Sequence, residues 1–271
     1  MCQLLGMNCN VPTDILFSFS GFHHRGGRTD QHVDGWGIAF YEGRGCRLFI
    51  DTKPAAESPV AALVRTYPIH SLNVIAHIRK ATVGQVALEN THPFMRELWG
   101  RYWTFAHNGT LKGRCGARAG LDDMLAALGC YDASERRFMP VGDTDSEATF
   151  CAILETLRRA FPDGDPAPAT LYRVLAHAVA VLREYGEFNF LLSNGEVLFA
   201  HCATRLAYIV RSAPFTTAHL VDDDYTVDFS LLTTPADRVA VIATLPLTDN
   251  ETWTPLAAGE LLMFKDGAVV T

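Results

Sequence analysis

The sequence predicts an α+β fold in which two antiparallel sheets pack together and helices cover their outer faces. Short apolar segments with strand character follow one another in pairs, and turns at residues 42–45 and 193–196 join neighbouring strands. A few longer segments with apolar residues at every third or fourth position predict helices between these pairs. This order differs from the regular alternation of strand and helix in a parallel sheet, so a parallel fold is not expected.

The predicted strands are short, apolar or β-branched segments that lie between turn-forming residues. They are residues 3–9, 35–41, 46–50, 74–78, 102–106, 188–192, 197–201, 239–244 and 261–264. The predicted helices begin at residues that favour helix starts. Pro12, Thr13 and Asp14 open one that runs to residue 22, Ser58 caps one that runs to residue 67, Asp145 caps one over 146–160, and a last one covers 169–185.

The composition indicates one globular domain over residues 1–271. Hydrophobic residues make up 48% of the chain and charged residues 20%, which is the balance of an ordinary soluble protein. Residues 161–168 are the most linker-like stretch, and we expect a loop there. The net charge is -7 and the basic residues form no blocks, so neither nucleic acid nor an anionic membrane is an expected partner.

The cysteine and histidine patterns argue against disulfides, metals and cofactors. The seven cysteines are odd in number and scattered without a CxxC pair, and the ten histidines show no HxH or HExxH spacing. The N-terminus lacks the basic region of a signal peptide, and no apolar stretch is long enough to cross a membrane. We therefore expect a cytoplasmic protein with reduced thiols, no metal site and no cofactor.

Cys2 is the first candidate for chemistry, because it directly follows the initiator methionine. Removal of Met1 would place an α-amine with a pKa of about 7.7–8.0 on the same residue as a thiol with a pKa of about 8.5. An amine of this basicity can take the thiol proton and produce a nucleophile. The alternative is that Cys2 is a small packed residue at the start of a strand.

Three later segments add groups that could bind the parts of a substrate. In residues 106–110, the Asn108 carboxamide and the Gly109 N–H could hold an oxyanion, although Asn-Gly is also a common turn dipeptide. In residues 76–82, Arg79 could bind a carboxylate with its planar fork, or could lie on the surface. In residues 142–147, one acidic residue could bind an ammonium group, although acidic residues are also common helix caps.

In this order, these segments resemble the glutaminase domain of class II glutamine amidotransferases, and in particular the group of stand-alone bacterial members. The resemblance covers the whole chain. It is carried by Met1-Cys2 and by residues 34–39, 77–82, 90–94, 105–109, 143–147, 246–248 and 253. It implies the N-terminal nucleophile hydrolase fold, a four-layer αββα sandwich with two antiparallel sheets.

The resemblance also implies the roles of the main site residues. Cys2 would be the nucleophile, with its own amine as the base. The Asn108 side chain and the Gly109 backbone would form the oxyanion hole. Arg79 would bind the α-carboxylate of glutamine, and Asp145 its α-ammonium group.

Three further residues lie in matching segments and are expected to belong to the glutamine-binding site, behind the residues that contact the substrate: Thr82, His92 and Trp36. Residues 79–84 depart from the family pattern. Larger members have Arg-Trp-Ala-Thr-His-Gly there, whereas this chain has Arg-Lys-Ala-Thr-Val-Gly. The difference affects how the glutamine pocket closes, but it leaves the arginine in place.

The function implied by the resemblance is hydrolysis of the glutamine side-chain amide to glutamate and ammonia. The ammonia would pass to an acceptor on a separate subunit, or water would be the acceptor. A second hypothesis within the same fold is hydrolysis of a small γ-glutamyl conjugate, since the same residues would bind its glutamyl group. A third is a binding module without catalysis, which the retention of all the site residues makes the weakest of the three.

Overall fold

Two large antiparallel sheets form the centre of the protein. The computed structural model describes residues 2–81, 85–113, 116, 118–130 and 136–271. Its strands are β1 (Gln3–Thr13), β2 (Trp36–Glu42), β3 (Gly45–Asp51), β4 (Ser71–Ile78), β5 (Phe94–Leu98), β6 (Arg101–Leu111), β7 (Gly186–Ser193), β8 (Leu198–His201), β9 (Ala207–Ser212), β10 (Thr217–His219), β11 (Thr226–Asp228), β12 (Arg238–Ala243), β13 (Thr254–Pro255), β14 (Leu261–Lys265) and β15 (Ala268–Val269). Its α-helices are α1 (Leu16–Phe22), α2 (Pro59–Thr66), α3 (Leu121–Ala127), α4 (Asp145–Ala160) and α5 (Pro168–Leu182).

Each sheet joins strands that are far apart in the chain. The seven-stranded sheet has the order β13-β9-β12-β1-β4-β2-β3, and the six-stranded sheet has the order β15-β14-β8-β7-β6-β5. The strand pairs are antiparallel in both sheets. β10 and β11 form a separate two-stranded ribbon. The strand that follows Cys2 therefore lies inside its sheet, between β4 and β12.

The sheets and helices stack in four layers, which confirms the predicted αββα sandwich. Helices α1 and α2 pack on the outer face of the seven-stranded sheet, where Phe19, Ile38 and Val64 belong to one buried cluster. Helices α3, α4 and α5 pack on the outer face of the six-stranded sheet, where Phe105 and Phe150 stack with their ring centres 5.3 Å apart. A third apolar cluster fills the space between the two sheets.

The alternation of side chains along β1 explains why this strand has apolar residues on both of its faces. Leu4 points between the sheets and packs in the same cluster as Ile75, whereas Leu5 and Met7 point toward the helices. Both faces are buried, so both need apolar residues. By the same alternation, Cys2 lies on the face of Leu4, at the edge of the layer between the sheets.

The first helix begins later than predicted. β1 continues through Pro12 and Thr13, and its register with β4 shifts between Asn8 and Thr13. Helix α1 begins at Leu16, whose N–H donates to the Asp14 carboxylate at 3.0 Å. The residues expected to open the helix therefore end an irregular strand, and only Asp14 satisfies a helix N–H group.

The described part of the chain contains six free cysteines: Cys2, Cys9, Cys46, Cys130, Cys151 and Cys202. Within the same residues, no group of three or more His, Cys, Asp or Glu side chains is placed to hold a metal ion. None of the helices in the described ranges has the length and apolar character needed to span a membrane.

Candidate active site

The backbone of Cys2 is held by a single side chain from the opposite sheet. The Cys2 nitrogen lies 2.9 Å from Asn108 Oδ1, and Asn108 Nδ2 donates to the Cys2 carbonyl oxygen at 2.6 Å. Asn108 belongs to β6, so this pair of hydrogen bonds joins the two sheets. The family resemblance implies that these two residues act together, and the structure brings them into direct contact.

The Cys2 thiol lies against the chain that leaves β4. The Lys80 N–H donates to Cys2 Sγ at 3.3 Å, and the sulfur lies 3.5 Å from the Lys80 carbonyl oxygen. Burial raises the pKa of the Cys2 thiol above its usual value, while the Lys80 N–H and the charge of Arg79 lower it in part. The net shift is upward, so the thiol keeps its proton at neutral pH until a base removes it.

The Asn-Gly dipeptide lies inside β6, whereas the predicted strand ended at residue 106. β6 runs on to Leu111, and its register with β7 places Asn108 opposite Asn189 and Gly109 opposite Phe188. Gly109 has a φ of +155°. A Cβ atom at Gly109 would lie 1.8 Å from the Glu187 carbonyl oxygen, so only glycine fits this position.

The sheet geometry sets the direction of the Gly109 N–H. The Lys112 N–H donates to the Tyr185 carbonyl at 2.8 Å, and hydrogen-bonded pairs recur at every second residue of an antiparallel ladder. Asn108 therefore lies in a hydrogen-bonded position toward β7, and the Gly109 N–H points to the other edge of β6. β5 pairs with that edge as far as Phe105, and within the described residues no strand pairs with it beside Gly109.

Arg79 is buried at the end of β4, which excludes the surface alternative. Its N–H donates to the Gly35 carbonyl at 2.8 Å, and its carbonyl accepts from the Asp34 N–H at 3.2 Å. The Asp34 carboxylate also accepts from the Ala81 N–H at 2.7 Å, and Arg79 Nη1 donates to the Gln85 carbonyl at 2.9 Å. Only 5% of the Arg79 surface is exposed, so its charge acts in a poorly solvated site.

Asp145 is the first residue of α4, and not its cap as predicted. Thr144 is the N-cap, and its hydroxyl accepts from the Glu147 N–H at 3.2 Å. Asp145 Oδ2 instead accepts from the Leu111 N–H at 2.6 Å, two residues after Gly109. The carboxylate is thus buried at the positive end of a helix, where a negative charge is favoured, and it lies close to the Asn108-Gly109 segment.

His92 lies behind the site and supports β6. Its Nδ1 accepts from the His107 N–H at 3.2 Å, and its ring lies 4.3 Å from that of His77. Burial holds the pKa of His92 and of His77 well below the usual value, so both rings are neutral. His92 therefore contacts β6 at the edge that faces away from β7. This position suits a residue that supports the strand.

Trp36 lies on the face of the sheet opposite to that of Cys2, so it does not contact the candidate nucleophile. It pairs with Ile78, which also pairs with Gln3, and all three therefore share one face of the sheet. Cys2 and Leu4 lie on the other face. The Trp36 ring packs 5.7 Å from Phe19 in the cluster under the helices. The third predicted residue, Thr82, lies outside the described residues.

Sequence reasoning did not assign a role to Asn189. Its side chain is fully buried and contacts the Asn108 carbonyl. The available signal was a single asparagine in the otherwise apolar run of residues 188–192, because a buried amide must find hydrogen-bond partners. The role of Asp34 was also missed, although its motif was recognised.

Residues 1–271 match the model of the family described as glutamine amidotransferases class-II. The chain belongs to this family. It is therefore an enzyme of the amidotransferase class, and its family implies glutamine as a substrate.

Relatives along the full length of the amidotransferase agree with this assignment. A protein of Escherichia coli (strain K12) named "Putative glutamine amidotransferase YafJ" is 51% identical over 264 residues, which cover 97% of each chain. A "Putative glutamine amidotransferase" of Haemophilus influenzae is 50% identical over 267 residues, which cover 98% of this chain and 85% of the relative. A solved structure titled "predicted glutamine amidotransferase from Pseudomonas aeruginosa PA01" covers all of both chains with 47% identity and a TM-score of 0.73. The amidotransferase thus has the N-terminal nucleophile hydrolase fold.

Proposed function

We propose that this amidotransferase hydrolyses the side-chain amide of glutamine to glutamate and ammonia, with Cys2 as an N-terminal nucleophile. The observation that carries the proposal is the reciprocal pair of hydrogen bonds between the Cys2 backbone and the Asn108 carboxamide. This pair supports the proposal because it keeps the Cys2 thiol, the Cys2 nitrogen and the Asn108 amide group close together. Residues 1–271 would form a single glutaminase domain.

The α-amine of Cys2 is the proposed base. A neutral amine at this nitrogen would donate one hydrogen to Asn108 Oδ1, and its lone pair would remain available for the thiol proton. Its reference pKa of about 7.7–8.0 matches proton transfer near neutral pH. The Cys2 thiol needs this base, because burial raises its pKa.

The reaction would proceed through a thioester. The amine takes the thiol proton, the sulfur attacks the amide carbon, and the carbonyl electrons move to the oxygen. The amide nitrogen then takes the proton from the ammonium group and leaves as ammonia. Water attacks the γ-glutamyl thioester and passes a proton to the amine; when the tetrahedral intermediate collapses, the Cys2 thiolate leaves and takes up that proton.

The oxyanion would be held by two donors on β6. Asn108 Nδ2 uses one hydrogen to hold the Cys2 carbonyl, and its second hydrogen would go to the oxyanion. The Gly109 N–H, which points to the edge of β6 that faces away from β7, would be the second donor. Each such donor contributes about 3–4 kcal/mol to the stability of the transition state.

The buried charges beside the site would bind the amino-acid end of glutamine. Arg79 would bind the α-carboxylate and Asp145 the α-ammonium group. Thr82, in the same segment as Arg79, would support the binding of glutamine. Because the family transfers amide nitrogen, we propose that the ammonia passes to an acceptor held by a separate subunit. We also propose the cytoplasm as the location, in keeping with the free thiols of the described cysteines.

Removal of Met1 should be required for activity. We expect an intact mass that lacks the initiator methionine, and an active enzyme in that form only. A variant with one glutamate inserted between Met1 and Cys2 should keep its methionine and lose ammonia release, because the free amine is no longer on Cys2. Full activity in protein that retains Met1 would rule out the amine as the base.

Arg79→Lys should raise KM for glutamine about 10- to 100-fold, with a smaller effect on kcat, because a point charge replaces a bidentate donor. Asp145→Asn should act in the same direction, since its amide oxygen can still accept from the Leu111 N–H while the charge is lost. Steady-state ammonia release measures both variants. Arg47→Lys, in an exposed pair with Glu42, is the control and should leave KM unchanged. An unchanged KM in Arg79→Lys would remove the carboxylate assignment.

A further inference from the structure

We infer that Asn189 is a positioning residue that sets the direction of the oxyanion-hole peptide between Asn108 and Gly109. The inference rests on the oxyanion role proposed above for these two residues. Asn189 lies on β7, directly opposite Asn108, and its side chain is completely buried. It does not touch the substrate in this proposal. It acts through the peptide group that carries the Gly109 N–H.

The Asn189 carboxamide makes five hydrogen bonds with described residues. Nδ2 donates to the Asn108 carbonyl and to Thr204 Oγ1, both at 2.9 Å. Oδ1 accepts from the N–H groups of Ala203 and Thr204, both at 2.9 Å, and more weakly from that of Arg205 at 3.4 Å. These bonds use both amide hydrogens and both lone pairs of the oxygen. The two ends of the carboxamide cannot be exchanged, because the amide hydrogens would then face two backbone N–H groups and the amide oxygen would face the Asn108 carbonyl.

Anchoring the Asn108 carbonyl also fixes the Gly109 N–H, because the two groups belong to one planar peptide and point in opposite directions. With the carbonyl directed at Asn189 on β7, the N–H is directed at the opposite edge of β6. Gly109 has no Cβ, so its own backbone restrains this peptide less than that of another residue would. The ladder with β7 holds the Asn108 carbonyl toward β7, and the Asn189 side chain adds a second hydrogen bond to the same carbonyl.

This arrangement predicts an effect on the transition state rather than on glutamine binding. The negative oxygen exists only after the thiol has attacked, so a misdirected N–H lowers kcat and leaves KM nearly unchanged. Complete removal of one oxyanion donor lowers kcat about 10²- to 10³-fold. A donor that is misdirected but still present should cost part of this, about 10- to 100-fold.

The competing explanation is that Asn189 only anchors the loop at residues 203–205. Such a role would lower the free energy of unfolding, and any damage to the site would affect binding and the reactivity of Cys2 together. The two explanations therefore differ in three measurements: the separation of kcat from KM, the intrinsic reactivity of Cys2, and the orientation of the 108–109 peptide.

The test uses two variants and a matched control in the full-length enzyme. Asn189→Asp keeps an oxygen for the N–H groups of Ala203 and Thr204 but loses the donor to Asn108, and Asn189→Ala loses both without adding a charge. Asn73→Asp is the control, because Asn73 is equally buried and its Nδ2 donates to the Gly195 carbonyl at 2.7 Å. Asn73 lies five residues from the end of β4 at Ile78, about 16 Å along the strand from the site.

Three readouts are taken on each protein: kcat and KM for glutamine, the rate of Cys2 alkylation by iodoacetamide, and a crystal structure. Iodoacetamide reacts by displacement and forms no oxyanion, so it reports the nucleophile alone. We expect both Asn189 variants to lose kcat about 10- to 100-fold, with KM and the alkylation rate within about threefold of the wild type. The structures should show a rotated 108–109 peptide. Asn73→Asp should keep kcat, whatever it does to the melting temperature.

An unchanged kcat in folded Asn189→Ala, or a peptide that stays in place in both variants, would overturn the inference. If neither variant folds, the inference is tested on a crystal structure of the wild-type enzyme after alkylation of Cys2 by the diazoketone analogue of glutamine. Its ketone oxygen should lie within hydrogen-bond distance of the Gly109 nitrogen, while Asn189 Nδ2 still contacts the Asn108 carbonyl. A complete oxyanion hole with that contact broken would contradict the inference. If the wild type releases no ammonia from glutamine, the proposed function fails, and the peptide orientation in the variants still tests Asn189.

Discussion

Cys2→Ala should reduce ammonia release from glutamine by more than about 10⁴-fold, to the level of the uncatalysed reaction, because no other group in the proposed site can form the thioester. Cys2→Ser should be nearly as inactive, since a hydroxyl is far less acidic than a thiol and the α-amine is too weak a base to activate it. The measurement is ammonia release at saturating glutamine. Cys46→Ala is the control, because Cys46 is a partly exposed thiol on β3 that the mechanism does not use.

The affinity of Cys2→Ala for glutamine distinguishes loss of the nucleophile from general damage to the site. Arg79 and Asp145 remain in Cys2→Ala, so the dissociation constant for glutamine, measured by calorimetry, should stay within about threefold of the KM of the wild type if chemistry is slow relative to dissociation. Glutamine bound by an inactive variant would assign chemistry to Cys2 and recognition to the buried charges. Ammonia release within tenfold of the wild type would show that another group is the nucleophile.

Asn108→Ala should lower kcat by at least about 10²- to 10³-fold, which is the usual effect of removing one oxyanion donor. A further loss is expected because the same side chain holds both the nitrogen and the carbonyl of Cys2, at 2.9 and 2.6 Å. KM should change little, since glutamine is bound elsewhere. Asn194→Ala is the comparison, because the Asn194 side chain accepts from N–H groups in the turn before β8, such as that of Val197, and has no part in the proposed mechanism.

A second substitution at the same position distinguishes the two tasks of this carboxamide. Asn108→Asp keeps an acceptor for the Cys2 nitrogen, but it loses the donor and places a negative charge where the oxyanion forms. We expect its kcat to be as low as that of Asn108→Ala. If Asn108→Asp retains a tenth or more of the wild-type kcat, Asn108 serves only to hold Cys2 in place, and the oxyanion is stabilised by other groups.

The two sheets were predictable from the sequence because buried strands leave a local pattern. β1 and β6 are runs of apolar residues, and the hairpin turns at residues 42–45 and 193–196 mark where partners meet. β5 and β9 were missed because polar residues such as Arg96 and Arg211 interrupt them. Strands of this kind are identified by the neighbours they pair with, and pairing across the chain leaves no mark in a short stretch of sequence.

The site was only partly predictable for the same reason. Cys2, Arg79, Asn108, Gly109 and Asp145 could be named from their segments, but the side of the sheet on which a residue lies depends on register. Trp36 illustrates this, because one step along β2 separates the face under the helices from the face between the sheets. The Asn-Gly dipeptide was expected to follow the end of a strand because it favours turns, whereas the ladder with β7 carries β6 through it.

The position of β1 inside its sheet also determines when during synthesis the enzyme can become active. β1 is the first strand to leave the ribosome, yet one of its neighbours is β12, where Leu5 pairs with Ala243, and the Leu4 N–H donates to Thr244 Oγ1 at 2.9 Å. The first strand must therefore wait for more than 200 residues of chain before its sheet can close around it. A nascent or truncated chain without β12 should carry Cys2 at its start but hold it in an incomplete sheet, so unfinished copies should not consume glutamine.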